Sequence, residues 1–413
     1  MAVFTRPPPR KRRIAQNARV LARQSATNSS GPSDTSEIAN RDEADLPPLD
    51  ELDVALEIPG ELIDEGMEQH DTIEVQNAVG LAVEEVANTF GLRLSDAEIK
   101  EAREVFPKAA GFANQIHGSG TLYAAFVAIR NQCKDLLTTQ KEVPTQRVVT
   151  RWGADLACAR THGELRPAID AMTSRPGYKL GKFQMSPAQW EMLDECVECL
   201  EIFEEPTHIH SQSNTALVHE VIPHLLLMKF RLGLIRDAIY DPETEQPLRL
   251  VSRVAAVAAI HVVNKYLKLL EAADIYWLAI VLCPWYKIQW LNDHGYSPAH
   301  IERVRQVLFN RFADYTLRFG TGHGSTAGAL VTSTQSLNPR PRRFMQHPTP
   351  ILHATTFQSA TFSSALSNYL SSPPLAKTEV LKAGGLIQYW ENESKAANGS
   401  ILGRMALDIL SAP

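Results

Sequence analysis

Cysteine is scarce in this sequence, with five residues in 413. So few and so widely spaced thiols cannot build the dense disulfide framework of a small secreted domain, and we expect a reducing compartment. Long apolar runs are also lacking, because the most apolar stretch, residues 275–285, is shorter than the ~18 residues that cross a bilayer. The N-terminus has no apolar segment before a cleavage site, so the sequence predicts neither a secretory signal nor a membrane partner.

An excess of basic residues is absent too. The chain has 41 Lys and Arg against 47 Asp and Glu, a net charge of −6. This balance excludes a uniformly basic nucleic-acid-binding surface, so any contact with DNA must come from a local patch. Hydrophobic residues make up 44% of the chain, which is enough to bury a sizeable core.

Charge is segregated in residues 1–78. The first 23 residues carry seven Lys and Arg and no acid, whereas residues 42–68 are strongly acidic. Residues 34–85 contain no aromatic residue. Such a composition cannot bury enough apolar surface to offset the entropy of ordering, so we predict a disordered arm, basic and then acidic, over residues 1–78.

The basic part of the arm contains one compact cluster with three possible roles. Importin receptors and DNA phosphates both bind such clusters without needing a folded partner, and a solubilising tail is the alternative. The cluster consists of Arg10, Lys11, Arg12 and Arg13. We favour binding to an importin, and hence a nuclear protein. The same four residues are also predicted to contact DNA.

Residues 79–318 are predicted to form a helical domain. Capping patterns at Ser95, Ser186 and Ser297 mark three helix starts. Apolar residues recur at helical spacing behind such starts, and the best strand pattern covers only residues 146–152. The fold class is therefore mainly α, with three predicted buried faces: Trp190, Leu193, Val197 and Leu200; Val254, Ala258, Val262 and Tyr266; Ile301, Val304, Leu308, Phe312 and Tyr315.

The composition changes again after this domain. Residues 319–380 are rich in Ser, Thr and Pro and are predicted to be a mobile linker. Residues 381–413 form a separate C-terminal part with two short helical stretches, at 383–393 and 401–410.

Several patterns invite a chemical interpretation. A zinc site could use Cys196, Cys199, His208 and His210, but the two cysteines share a helical stripe with apolar residues, and we expect core packing instead. The glycine-rich residues 320–326 lack the strand, helix and Lys of a phosphate loop. We expect three further histidines to be core or surface residues rather than ligands or bases: His219, His224 and His261.

An ordered series of segments is more specific. Residues 143–153, VPTQRVVTRWG, continuing to LRPAID at 165–170, resemble the DVxTRWNST…LxLRxAI segment of hAT-superfamily DNA transposases, particularly the fungal ones. Residues 106–119 and 186–205 resemble the family's neighbouring helices. KY…LCPWYK at 265–287 resembles its KYY…LDPRxK segment, and residues 388–413 resemble the opening of its C-terminal dimerisation region. The resemblance covers residues 85–318 and 383–413.

This resemblance implies a large helical insertion domain, with at most a remnant of the family's RNase H-like α/β core. It implies that Arg151 and Trp152 contact DNA, because the matching tryptophan lies near the DNA end, where an indole can stack on an unpaired base. It also implies a homodimer, or association with related transposase chains, through a C-terminal set of residues: Tyr389, Trp390, Met405, Leu407, Ile409 and Leu410.

The departures from the family pattern concern catalysis. Strand transfer needs three carboxylates around two divalent ions such as Mg²⁺. The family's first two lie on strands before the TRW segment, where this chain has its acidic arm, and the third follows the segment that residues 388–413 resemble. Cys283 and Trp285 replace the Asp and Arg of LDPR, and Gly153 follows the tryptophan. We therefore expect no catalytic residue, no metal ligand and no cofactor, with Mg²⁺ expected only if the core were complete.

The leading hypothesis is a catalytically inactive, transposase-derived nuclear protein that binds DNA and other protein chains. Two alternatives stay open. The first is a helical scaffold that binds only protein, and the second is a subunit of an active DDE-type transposase.

Overall fold

The computed structural model describes residues 65–147, 152–212, 215–237, 248–320, 359–395 and 400–412. Every long regular element in these ranges is an α-helix, which confirms the mainly α fold predicted from the sequence. The predicted arm up to residue 64 and the predicted linker from 321 to 358 lie outside the described residues. The strand pattern at 146–152 forms no strand where it is described, since Gln146 and Arg147 are irregular and Trp152 begins a helix.

The helices belong to two compact units. Unit 1 contains the described residues up to Ser211 together with His224–Lys268, and unit 2 contains Gln212–Pro223 and Leu269–Pro413. The first eight helices lie entirely or for most of their length in unit 1: α1 (Glu65–Phe90), α2 (Asp96–Gly118), α3 (Gly120–Gln132), α4 (Trp152–Glu164), α5 (Arg166–Thr173), α6 (Pro187–His210), α7 (Val221–Arg236) and α8 (Leu250–Glu271). Because α1 begins at Glu65, residues 65–78 are helical and do not belong to the arm as predicted.

Unit 2 is built from shorter helices: α9 (Asp274–Leu282), α10 (Lys287–Asp293), α11 (Pro298–Phe319), α12 (Ser359–Ser371), α13 (Lys377–Lys382), α14 (Leu386–Lys395) and α15 (Ser400–Leu410). A 3₁₀ turn, Val218–Glu220, also belongs to it. The two predicted C-terminal helical stretches are present as α14 and α15.

The predicted helix starts are confirmed at the level of single hydrogen bonds. Ser95 Oγ accepts from the Glu98 amide at 3.2 Å, and Glu98 accepts from the Ser95 amide at 2.8 Å, so two otherwise unpaired donors are satisfied. Ser186 and Gln189 form the same reciprocal pair, and Ser297 caps α11. Local sequence therefore sets where these three helices begin.

Aromatic rings fill the middle of the unit 1 core. The Phe112 ring meets the rings of Phe126 and Phe183 edge-on, with centroids 5.7 and 6.4 Å apart. His162 is buried in the same cluster, with its centroid 5.6 Å from that of Phe112. A Cβ at Gly111 would lie 2.5 Å from Phe183, so the glycine is what allows this ring to reach α2.

The predicted buried face of α8 is partly wrong. Val254 and Ala258 are buried, but Val262 and Tyr266 are 36% and 54% exposed, and Val263 is buried instead. The predicted stripe advances four residues at each step, and an α-helix turns about 400° in four residues, so the stripe drifts about 40° per step away from the core. Over three steps it leaves the buried face.

By length and composition, α8 is the one helix among the described residues that could cross a membrane. In its most apolar stretch, 44% of the residues are buried inside the chain. Several of them, including Val254 and Val257, belong to the unit 1 core.

Part of the predicted linker is folded in unit 2. Residues 359–371 form α12, and its Leu366 and Tyr369 side chains are buried. The Tyr369 hydroxyl donates to the carbonyl of Val281 at 3.0 Å. The Ser-rich composition misled the prediction because two large side chains at helical spacing are enough to fix a short helix against its neighbours.

Candidate nucleic-acid interface

The segment before the TRW residues is fixed to two helices of unit 1. His117 Nε2 on α2 donates to the Pro144 carbonyl at 2.8 Å, and Gln146 donates to Asn114 on the same helix at 3.2 Å. From the other side, the Thr145 amide donates to Thr161 on α4 at 2.9 Å. Residues 144–146 therefore lie between α2 and α4 with their polar groups paired.

An ion pair closes this arrangement around the TRW residues. Arg147 pairs with Asp155, in the first turn of α4, and both side chains are largely buried, with 14% and 13% exposed. The Arg147 guanidinium also lies 5.6 Å from the centre of the Phe106 ring. The pair joins residues on either side of 148–151, so the two ends of that segment are held at fixed positions.

Arg151 lies within this segment, outside the described residues. Trp152 is the first residue of α4, and nothing is described of its side chain. The basic cluster Arg10, Lys11, Arg12 and Arg13 is likewise outside the described part of the chain. Their predicted contacts with DNA stay predictions.

Most of the residues predicted for dimerisation are buried inside unit 2. Trp390 is 1% exposed, and its indole donates to the Leu282 carbonyl at 2.9 Å. Met405, Ile409 and Leu410 are also buried, whereas Tyr389 and Leu407 are half-buried. The four buried side chains pack their own chain, and the dimerisation role stays a prediction.

The four residues considered above as zinc ligands do not come together in the described structure. Cys196 is buried, and burial raises the pKa of both thiols, that of Cys199 to about 12. His208 lies nine residues beyond Cys199 on the same helix, about 13 Å along its axis. His210 instead forms a ring-to-ring hydrogen bond of 3.0 Å with His224. The expectation of core packing for Cys196 is confirmed.

The acids near the TRW residues do not fit a magnesium site. Asp155 is paired with Arg147, and Asp170 accepts from the Trp190 indole at 3.1 Å. Within the described ranges, no three His, Cys, Asp or Glu side chains come close enough together to hold a metal ion. Asp155 and Asp170 are thus engaged by side chains of this chain.

Unit 2 contains a buried polar centre that no sequence pattern predicted. The Glu220 carboxylate accepts from the Tyr286 hydroxyl at 2.8 Å and from Lys377 at 3.0 Å, and His219 lies 3.5 Å away. Burial raises the pKa of Glu220, but the hydrogen bonds and charge of these neighbours outweigh burial and hold the pKa below its usual range. Since Glu220 and Lys377 are far apart in sequence, no local pattern could have revealed this pair.

Lys287 forms a second buried centre, at the position of the lysine in the LDPRxK-like segment. Its ammonium donates to four acceptors at the end of α12: the carbonyls of Tyr369, Ser372 and Pro373 at 2.9, 3.0 and 3.2 Å, and the Ser372 hydroxyl at 2.7 Å. The Tyr369 carbonyl also accepts from the Ser372 hydroxyl at 2.9 Å, so Lys287 and Ser372 together cap the C-terminus of α12. Lys287 therefore fixes α12 to the start of α10.

Cys283 occupies the position at which the resembled segment has an aspartate. Its side chain is buried, and its carbonyl accepts from the amides of Tyr286 and Lys287 at 3.0 Å each. Burial raises the pKa of this thiol, so the group is neutral beside the charged Glu220.

No protein-family model, curated protein or solved structure matches this chain.

Proposed function

We propose that this chain is a nuclear protein derived from a hAT transposase, that it binds DNA through Arg151, Trp152 and the basic arm cluster, and that it carries out no strand transfer. Association with further copies or with related transposase chains is part of the same proposal.

The observation that carries the DNA-binding proposal is the fixation of both ends of residues 148–151. The hydrogen bonds from His117 and Thr145 and the ion pair of Arg147 with Asp155 hold the segment's flanks against α2 and α4. Because these flanking residues are already ordered in the free chain, binding has to order only the short stretch between them, which favours a recognition role over a solubilising one. This supports Arg151 as a phosphate contact and Trp152 as a stacking platform.

The proposal of inactivity rests on the chemistry at the positions that depart from the family. Cys283 supplies a neutral thiol where a carboxylate is expected, and the neighbouring Glu220 is already engaged by Tyr286 and Lys377. Asp155, the acid that follows Trp152 most closely, is engaged by Arg147. None of these groups offers Mg²⁺ a free carboxylate.

The test compares Trp152→Leu and Arg151→Gln in the full chain, measured by fluorescence anisotropy with DNA that carries an unpaired terminal base. Trp152→Leu should weaken binding by about 1–3 kcal/mol, the value of one stacked base. Arg151→Gln should weaken binding to all sequences alike. Arg175→Gln, which removes the same charge from an exposed position elsewhere in unit 1, is the matched control and should change little. Equal affinities for all four proteins would contradict the proposal.

Import and catalysis have separate tests. Replacing Arg10, Lys11, Arg12 and Arg13 by Gln should abolish nuclear accumulation, and unchanged localisation would refute the import role. Nicking of terminal inverted repeats by the full chain with Mg²⁺ or Mn²⁺ would favour the active transposase instead.

A further inference from the structure

Helix α7 carries two apolar stripes, and only one of them is covered. The inner stripe packs against Ile202 and Ile260 and consists of Leu225, Met228, Leu232 and Ile235. These residues are three or four positions apart, which places them on one side of the helix. This side accounts for the burial of α7 in unit 1.

The outer stripe lies on the opposite side and consists of Leu226, Leu227, Phe230 and Leu234, where Phe230 is three or four positions from each of the other three. Phe230 is 64% exposed and Leu227 is 39% exposed, while Leu226 and Leu234 are half-buried. A helix that is apolar all round is normally buried all round. Two exposed apolar side chains, Leu227 and Phe230, flanked by two half-buried leucines therefore mark a binding surface.

The charges beside the outer stripe define what could cover it. Lys229 and Arg231 are exposed, and each is displaced about 100° from Phe230, one to either side. Neither forms an ion pair with a described residue. Since the helix Val221–Arg236 contains no Asp or Glu, its outer side fits a segment that is both acidic and apolar.

One segment of this chain has that composition. Residues 42–64 contain nine Asp and Glu, no Lys or Arg, and eight Leu, Ile and Val. They lie outside the described residues and directly precede Glu65, the first residue of α1. We propose that residues 42–64 bind the outer stripe of α7 in the same chain, with their carboxylates next to Lys229 and Arg231.

The position of α1 brings this segment close to its site. Helix α1 pairs with α8 through Glu74 and Lys265 at 2.7 Å and through Glu85 and His261 at 3.1 Å. Helix α8 in turn packs on α7. Packed helices lie 8–10 Å apart, whereas 23 extended residues span up to about 75 Å, so the segment easily reaches α7.

Covalent attachment to α1 makes even a weak contact significant. A short covalent connection gives residues 42–64 an effective concentration on the order of millimolar at α7. An intrinsic Kd in that range is therefore enough to occupy the outer stripe. Any partner that presents an acidic, apolar segment to α7 must then displace residues 42–64.

The test is zero-length carbodiimide cross-linking of the full chain at low concentration, followed by mass spectrometry. Cross-links should join Lys229 to carboxylates of residues 42–64, and their yield should fall at high salt, because screening weakens exposed charge pairs. Phe230→Ser should lower the yield by about half or more, since it removes the most exposed apolar contact. Lys100, an exposed lysine on α2, should not show these cross-links.

Three results would overturn the proposal. The first is a Lys229 yield no higher than that of Lys100, and the second is a yield that Phe230→Ser does not change. The third comes from an equal mixture of ¹⁴N and ¹⁵N chains, where mixed-isotope products would assign the contact to a second copy. Leu317→Ser, at a residue of unit 2 that is 78% exposed, is the control for a general effect of losing a surface apolar group.

Discussion

Replacing Lys287 by Met removes the cap of α12 while preserving most of the side-chain volume. The ammonium has three protons for its four acceptors, and each charged hydrogen bond contributes about 1.5–3 kcal/mol. The sum is an upper limit, because burial of the charge opposes it and lowers the pKa of Lys287. We expect a net loss of about 3 kcal/mol in the free energy of unfolding, because the carbonyls of Ser372 and Pro373 lose a donor at about 1–3 kcal/mol each.

Urea denaturation monitored by tryptophan fluorescence measures this loss, since unit 2 contains Trp277, Trp285, Trp290 and Trp390. The matched control is Lys377→Met. Lys377 is half exposed, and Glu220 keeps the Tyr286 hydroxyl and the nearby His219 after its loss, so Lys377→Met should cost clearly less than Lys287→Met, about 1 kcal/mol. If the free energies of unfolding of Lys287→Met and Lys377→Met both lie within about 1 kcal/mol of that of the unmodified chain, the capping argument is wrong.

Two further predictions concern the cores of the units. Burial lowers the pKa of His162 to about 3 from its ordinary 6.5. Because only the unfolded chain binds a proton at this group between these two values, its contribution to the free energy of unfolding is complete above pH 6.5 and is lost as the pH falls towards 3. Between pH 6.5 and 5 the chain should lose about 2 kcal/mol through this group, and His162→Phe should remove that part of the slope in urea titrations at several pH values. Gly403→Ala should destabilise unit 2 by about 1–3 kcal/mol, because the new Cβ would lie 2.7 Å from backbone atoms of Ser394. Gly233→Ala, at a helical position with open space, should instead stabilise α7 by up to about 1 kcal/mol, and thermal unfolding of both variants checks the difference in sign.

The features predicted correctly from the sequence are those that depend on neighbouring residues. Ser95 with Glu98, and Ser186 with Gln189, mark their helix starts because each capping box uses groups three residues apart. The mainly α class follows from repeated patterns of this kind, each of which is complete within one helix.

The features that were missed depend on contacts across long stretches of chain. Glu220 meets Lys377, and Lys287 meets the end of α12, through pairings separated by many residues. The composition of residues 359–371 predicted a linker because nothing local shows that Tyr369 reaches the Val281 carbonyl. For the candidate site, the sequence identified the TRW segment by resemblance, but only the structure shows that Asp155 is engaged by Arg147.

The salt dependence of DNA binding tests the central proposal most directly. Each phosphate contact adds about −0.9 to the slope of log K against log salt concentration. If Arg10, Lys11, Arg12, Arg13 and Arg151 each contact a phosphate, the full chain should give a slope of about −4 to −5 between 50 and 200 mM salt, and Gln at the four arm positions should reduce it to about −1. A slope near zero for the unmodified chain, or no binding at low salt, would contradict the DNA-binding account and favour a scaffold that binds only protein.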